Sequence, residues 1–218
     1  MRRNLRTDLT RRGLFGLTLT ATAAAALPAW AQGASGGAGL DPWMGEKVYG
    51  NPDAPVTLIE YASLACSHCA TFHKEIWPKL KAEFVDPGQV KLIFRDFPLN
   101  APGLRAHQLA RCAGEKRFEG LKDVLFKSQA TWLNQDYEKR LAMVARMAGL
   151  TQAQFDACMA DKQLENFLIQ SQATGGSKYN VNSTPTFIVE NTGTTVAGAN
   201  EKELFEALED AGAKRKAP

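Results

Sequence analysis

Histidine and cysteine are scarce in this chain, with three of one and four of the other in 218 residues. The histidines are His68, His73 and His107; the cysteines are Cys66, Cys69, Cys112 and Cys158. Four cysteines are too few to staple a chain of this size, so an apolar core must hold the fold. A C-x-x-C occurs once, at Cys66–Cys69, and no second close pair completes a zinc site with it. His73 stands four residues from Cys69, a spacing that can hold metal, but it too lacks a full ligand set. His73 and His107 are therefore expected to be ordinary helix residues. Long apolar runs are missing as well. The least polar stretch, Gly13 to Leu27, is about 15 residues where a comfortable membrane span needs roughly 20. No fixed-period repeat is visible.

That stretch belongs to a leader. Arg2, Arg3, Arg6, Arg11 and Arg12 precede "GLFGLTLTATAAAAL", which ends in "PAWA" with Ala29 and Ala31 in the A-x-A arrangement of a cleavage site. Residues 1–31 read as a signal peptide cut after Ala31. The paired arginines of "TRRGLF" fit twin-arginine export, and the basic head fits an ordinary Sec signal; both remain open. Either route delivers the protein outside the cytoplasm, where disulfides persist. No cysteine follows the cut, which argues against a lipid anchor. The leader holds five arginines and one aspartate, a net +4 against +3 for the whole chain. The remainder is therefore about −1, and the electrostatic case for a nucleic-acid or acidic-membrane partner disappears.

Residues 32–46 are rich in Gly and Ser and read as a flexible lead-in. "VTLIEY" (56–61) is a short, mostly apolar run and reads as a buried strand. A helix follows from about Cys66 to Phe84, because Phe72, Ile76, Leu80 and Phe84 recur at helical spacing; Pro78 inside it predicts a kink. "VKLIFRDF" (90–97) is a second strand. Strand, helix and strand make a βαβ unit, with parallel strands and a right-handed crossover. From Pro102 to Gly176 the pattern is helical, and four or five helices are expected. Leu141, Val144, Ala145 and Ala148 mark one face, and Thr151 with Gln154 has capping-box form. Leu164, Phe167 and Leu168 mark a further helix, which Gly175–Gly176 should stop. Strands return in "TPTFIVEN" (184–191) and "TTV" (194–196). Asn200 with Glu203 then caps a last helix carrying Leu204, Phe205 and Leu208. The fold class is α/β, a thioredoxin fold with an inserted α-helical subdomain. Its first part is 47–99, the insertion 100–179 and the second part 180–213, with a tail at 214–218.

Cys66 falls where a strand ends and a helix begins. The first turn of a helix has free N–H groups and a partial positive charge, so a thiolate there is favoured over the thiol. A protonated His68 would add to that preference. Cys69 lies one turn on, within reach for a disulfide and tucked behind the nucleophile. A stabilised thiolate stabilises the reduced pair, which makes the oxidised pair an oxidant toward other proteins. Half a metal site and a purely structural bridge are the competing readings. In "STPTF", Pro185 opens a strand, which suits either a trans edge or a cis turn.

Taken together, "VTLIEYASLACSHCATFH", the helical insertion and "NSTPTFIV" resemble the DsbA-type thiol:disulfide oxidoreductases of the thioredoxin superfamily, over roughly 47–213. The resemblance implies that Cys66 is the exposed nucleophile and Cys69 the resolving partner. Pro185 is then a cis-proline facing the disulfide, and Thr184 offers backbone hydrogen bonds to a substrate strand. Glu60 matches the buried acid near the cysteines, against the bland reading of a solvent-facing strand residue; Arg95 and Asp96 are its candidate partners. Ser67 stands where the best-known members have proline, and a serine hydroxyl can donate to the thiolate. Thr184 stands where strong oxidases often have valine and isomerases have threonine, so the redox balance stays open. Cys112 and Cys158 resemble the extra pair of some α-proteobacterial members, implying a structural disulfide. The implied activity is periplasmic disulfide donation to reduced or unfolded exported proteins. It needs no cofactor beyond the Cys66–Cys69 disulfide and no metal, and a membrane quinone-coupled, DsbB-like partner reoxidises it. The short Gly-rich stretch before the first strand has no oligomerisation module, which favours a monomer over an isomerase. A disulfide isomerase or reductase, and a chaperone-like or metal-binding module, are the alternatives.

Overall fold

Two runs rich in β-branched residues pair in parallel at the centre of the molecule. A computed structural model describes residues 44–216. The leader, its cut after Ala31, most of the lead-in and the last two residues of the tail lie outside the described residues. The strands are β1 (Lys47–Tyr49), β2 (Val56–Ala62), β3 (Val90–Asp96), β4 (Thr186–Val189) and β5 (Thr194–Ala197). They form one sheet in the order β1-β3-β2-β4-β5. Only β2 and β3 run parallel; the other three pairings are antiparallel. The register sets Ala62 beside Asp96 and Tyr61 beside Thr186. The end of β2, the end of β3 and the start of β4 therefore meet at one edge, where the C-x-x-C begins.

Side chains alternate across β2. Val56, Leu58 and Ala62 join the main core on one face, while Ile59 and Tyr61 join a smaller cluster with Ile93, Phe97 and Ile188 on the other. Glu60 shares the parity of Leu58 and Ala62. It therefore lies under helix α1, a continuous helix over residues 67–85. That helix is not the simply kinked one that the sequence suggests. It alternates α-helical Ser67–Thr71, π-helical Phe72–Ile76, α-helical Trp77–Leu80 and π-helical Lys81–Val85. The wide turn ends at Ile76, so Pro78 sits in the first turn of a restarted α segment. A proline there removes no needed donor.

Six helical segments separate β3 from β4 among the described residues: α2 (Ala101–Cys112), α3 (Glu115–Lys127), α4 (Gln129–Trp132), α5 (Tyr137–Met147), α6 (Gln152–Ala160) and α7 (Lys162–Tyr179). That exceeds four or five because α4 is a single turn. Asn100 caps α2 by accepting from the Gly103 N–H at 2.8 Å, and Thr151 and Gln154 form the capping box of α6. Helix α7 runs through Gly175 and Gly176 and stops at Asn180, which adopts the left-handed conformation. Gly175 is there for contact. A Cβ on it would lie 2.7 Å from the Tyr61 ring. The last helix, α8 (Glu201–Asp210), is capped by Asn200 and buries Leu204, Phe205 and Leu208. Cys112 at the end of α2 and Cys158 in α6 are joined by a disulfide, S–S 2.00 Å, across 46 positions.

Two stability measurements follow from this packing. Gly175→Ala should destabilise by about 1–3 kcal/mol through overpacking against Tyr61. Gly176→Ala meets nothing closer than 3.7 Å and should be neutral or gain up to about 1 kcal/mol from helix propensity. Urea denaturation of the pair checks both, and equal effects would refute the contact argument. For the bridge, loop-closure entropy across 46 positions gives about 4 kcal/mol as an upper figure. Cys112→Ala/Cys158→Ala should unfold at lower urea, and thiol counting after mild reduction of the parent protein should find two thiols rather than four.

Candidate active site

The chain leaves β2 at Ala62, and its next three residues are held on every side. The Cys66 N–H donates to the Ser63 carbonyl at 3.0 Å. The Leu64 N–H donates to Nε2 of His107 at 3.1 Å, and Gln129 Nε2 donates to the carbonyls of Leu64 and Cys66 at 2.7 and 3.0 Å. Behind this loop, the fully buried Asp96 accepts from His107 Nδ1 and from Arg111 Nε, both at 2.6 Å. Burial alone would raise its carboxyl, but Arg111 and then His107 outweigh it and hold the group well below the usual carboxylate range. His107 accepts at Nε2 and donates at Nδ1, so one ring links the end of β3 to the active-site loop. It is a buried linchpin rather than the ordinary helix residue expected from its isolation in the sequence.

Cys66 itself has extended backbone angles and caps α1. Its sulfur is half-buried, while that of Cys69, one turn on, is fully buried, and both are free thiols. The Cys66 thiol is pulled down to about 5, first by the hydrogen bond from Cys69, with Thr184 and the N–H groups of Cys69 and His68 adding to it against the opposing effect of burial. The Cys69 thiol moves the other way, well above its ordinary value. Burial is the main cause, followed by the Cys66 sulfur and the nearby Glu60 carboxylate. The Thr184 carbonyl lies 3.2 Å from the Cys66 sulfur and accepts from its thiol form. The Thr184 hydroxyl is buried with no hydrogen-bond partner, and the Thr184 side chain contributes to lowering the Cys66 thiol. The Thr184–Pro185 peptide bond is cis. Ser67 and His68 point into solvent, and His68 acts on the sulfur through its backbone N–H rather than its ring.

Glu60 is fully buried, and its partner is neither Arg95 nor Asp96. Its Oε1 lies 2.9 Å from Nε2 of His73. The register explains the choice. Arg95 pairs with Tyr61 and so emerges on the opposite face of the sheet, where it donates to Tyr61 and Glu46. Asp96 shares the face of Glu60, but His107 and Arg111 already occupy both its oxygens. His73 is buried too, one turn beyond Cys69 on the same helix face, with its ring stacked on Phe126 at 4.4 Å. Nearby, buried Lys122 donates to the Tyr49 hydroxyl at 3.2 Å and sits 4.5 Å above that ring. Burial lowers the Lys122 ammonium, and Glu60 opposes that. The sequence reading passed over the roles of His73, His107 and Lys122. The position of His73 four residues after a buried cysteine was the one available signal. Among the described residues, no three His, Cys, Asp or Glu side chains converge as metal ligands.

Comparison with known proteins places this geometry. The thioredoxin family model matches residues 44–210. A putative protein-disulfide oxidoreductase of Rickettsia bellii is 31% identical over 126 residues, covering 57% of this chain and 49% of the relative. One from Rickettsia conorii is 28% identical over 174 residues, covering 76% of this chain and 63% of the relative. The chain thus spans about half to three fifths of the length of these relatives. Among solved structures, alpha-DsbA1 of Wolbachia pipientis superposes with a TM-score of 0.69 at 29% identity, covering 77% of this chain and 91% of the other. With a family match across most of its length, the chain belongs to the thioredoxin family.

Proposed function

We propose that this protein is an exported thiol:disulfide oxidoreductase that donates the Cys66–Cys69 disulfide to reduced proteins. The observation that carries the reading is the split between the two sulfurs. Cys66 is accessible and ionises readily, whereas Cys69 is buried and holds its proton. A substrate thiolate attacks the Cys66 sulfur, the bond to Cys69 breaks, and a mixed disulfide forms. A second substrate thiolate then attacks the substrate sulfur of that bond, and Cys66 leaves as a thiolate. A good leaving group and a stable reduced state both favour donation. Thr184 and Pro185 border the sulfur and offer backbone to an extended substrate segment. Glu60 is the buried acid beneath the resolving cysteine.

The leader supports a periplasmic location, and no helix among the described residues is long and apolar enough to cross a membrane. Reduced exported proteins are the substrates, a DsbB-like membrane protein is the reoxidant, and the working form is a monomer. The second reading, an isomerase or reductase on the same scaffold, rests on Thr184 before Pro185. A chaperone-like or metal-binding module would instead retain its binding in Cys66→Ala/Cys69→Ala.

Two measurements test the main reading. Equilibration with glutathione should give a potential well above the about −270 mV of thioredoxin, and a value at or below it would sink the oxidase reading. The second concerns pH. Lowering Cys66 from 9.0 to about 5 gives the reduced form stability that is fully present above the unfolded value. It is lost progressively as pH falls through about 5. The melting temperature of the reduced form relative to the oxidised form should therefore drop as pH is lowered across that range. Iodoacetamide alkylation of Cys66 should titrate near the same lower value, and titration near the ordinary thiol value would refute the assignment.

A further inference from the structure

The buried half of the exchange poses a proton problem. When a substrate thiolate opens the Cys66–Cys69 bond, Cys69 departs as a thiolate inside the core and must take up a proton. In the return direction the Cys69 thiol gives up its proton, its sulfur bonds to Cys66, and the thiolate of the reoxidant leaves. Cys69 is fully buried, so neither transfer can be made directly with bulk water. Glu60, also fully buried, lies under α1 on the sheet face that Cys69 packs toward; Cys69 feels its charge, and it has no exposed surface of its own.

Beyond Glu60 the structure offers one continuation. His73 Nε2 is 2.9 Å from Glu60 Oε1. Two atoms of this pair are buried without a hydrogen-bond partner, Oε2 of Glu60 and Nδ1 of His73. An unpaired buried polar atom is costly, and both ends of one hydrogen-bonded pair carry such an atom here. His73 is one of the residues lining a surface cavity of about 160 Å³, together with Ala70, Thr71, Lys74, Asp123 and Phe126. The chain of contacts runs from the Cys69 neighbourhood, through carboxylate and imidazole, to a surface cavity lined along α1 from Ala70 to Glu75.

We propose that His73 relays protons between the Glu60 carboxylate and solvent through this cavity, so that the Cys69 sulfur can gain and lose its proton while the substrate covers Cys66. This rests on the oxidoreductase reading. The balance is simple. For protonation, Glu60 in its acid form gives a proton to the Cys69 thiolate; Nε2–H of His73 returns one to Glu60, and the buried Nδ1 takes one from a water that enters through the cavity beside it. Deprotonation runs the same steps backward. His73 acts through Glu60 and is a positioning and relay residue. Glu60 from β2 is bonded to it, and Asp123 and Lys127 from α3, with Lys74 and Glu75 on its own helix, line the same cavity; Lys122 from α3 feels the Glu60 charge. Tyr49 of β1 reaches this group through its hydrogen bond with Lys122.

His73→Gln keeps a donor for Glu60 and removes the second titratable nitrogen. The reduced protein is mixed with oxidised glutathione, quenched in acid at set times between pH 5 and 9, and counted by mass for the Cys66–glutathione adduct and the Cys66–Cys69 disulfide. Adduct formation should match the parent protein. Conversion of adduct to disulfide should slow by about tenfold or more, with a changed pH profile, and added imidazole should restore part of it. An unchanged conversion rate and profile would overturn the relay. So would a uniform slowing at every pH that imidazole does not touch. If His73→Gln fails to fold, His73→Asn, which keeps an amide donor in a smaller side chain and leaves room for imidazole, carries the comparison with the same expectations. Failure of the parent protein to form any adduct at Cys66 would overturn the oxidoreductase reading itself, a result distinct from the other two.

Discussion

The site depends on keeping two sulfurs, three residues apart, in opposite protonation states. One must meet donors and solvent; the other must meet neither. A helix beginning at Cys66 satisfies both demands at once. Its first turn aims free N–H groups at the capping residue, while the next turn carries Cys69 under the helix and into the core. The thiol of Cys69 then donates to Cys66, so the burial of one group contributes directly to the ionisation of the other. When the disulfide forms, that hydrogen bond and the ionisation are both lost. The oxidised state forgoes what the reduced state gains.

Holding that helix start in place is the work of the inserted helices. His107 and Arg111 come from α2 and Gln129 from α4, and together they secure the loop from Ser63 to Cys66 against Asp96 at the end of β3. Removing one partner of such a buried, hydrogen-bonded charge leaves the other uncompensated, which is far costlier than the net worth of the pair. The insertion therefore holds the loop that carries Cys66.

Much of this was legible in the sequence, and the remainder was not for definable reasons. The βαβ unit, the hairpin-like return and the caps at Thr151 and Asn200 follow from local patterns, which is why they could be read. Even the parity of Glu60 is implicit in "VTLIEY", since it alternates with Leu58 and Ala62. What the sequence withholds is the choice between faces and partners. Arg95 and Asp96 are neighbours in the chain, yet the pleat sends them to opposite faces; the register removes Arg95 from Glu60, and His107 and Arg111 take up Asp96. Gly175 and Gly176 carry the stop signal of a helix end, but Gly175 is fixed by a ring 61 residues into the chain, a contact that no local pattern contains. The π-helical turns are likewise invisible to a count based on 3.6 residues per turn.

The same distinction between backbone and side chain bears on Ser67 and His68. Sequence reasoning gives both residues a side-chain role at the thiolate. In the structure both side chains stand in solvent, and His68 reaches the sulfur through its backbone N–H, a group every residue but proline supplies. In this reduced geometry the dipeptide therefore tunes Cys66 chiefly by how it shapes the first helical turn. The Thr184 hydroxyl is different. It is buried beside the sulfur with no competing partner, so a threonine there offers a donor that valine cannot. Stabilisation of the thiolate thus comes first from the Cys69 thiol, and is then shared between the residue 184 side chain and a helix start, which the fold supplies.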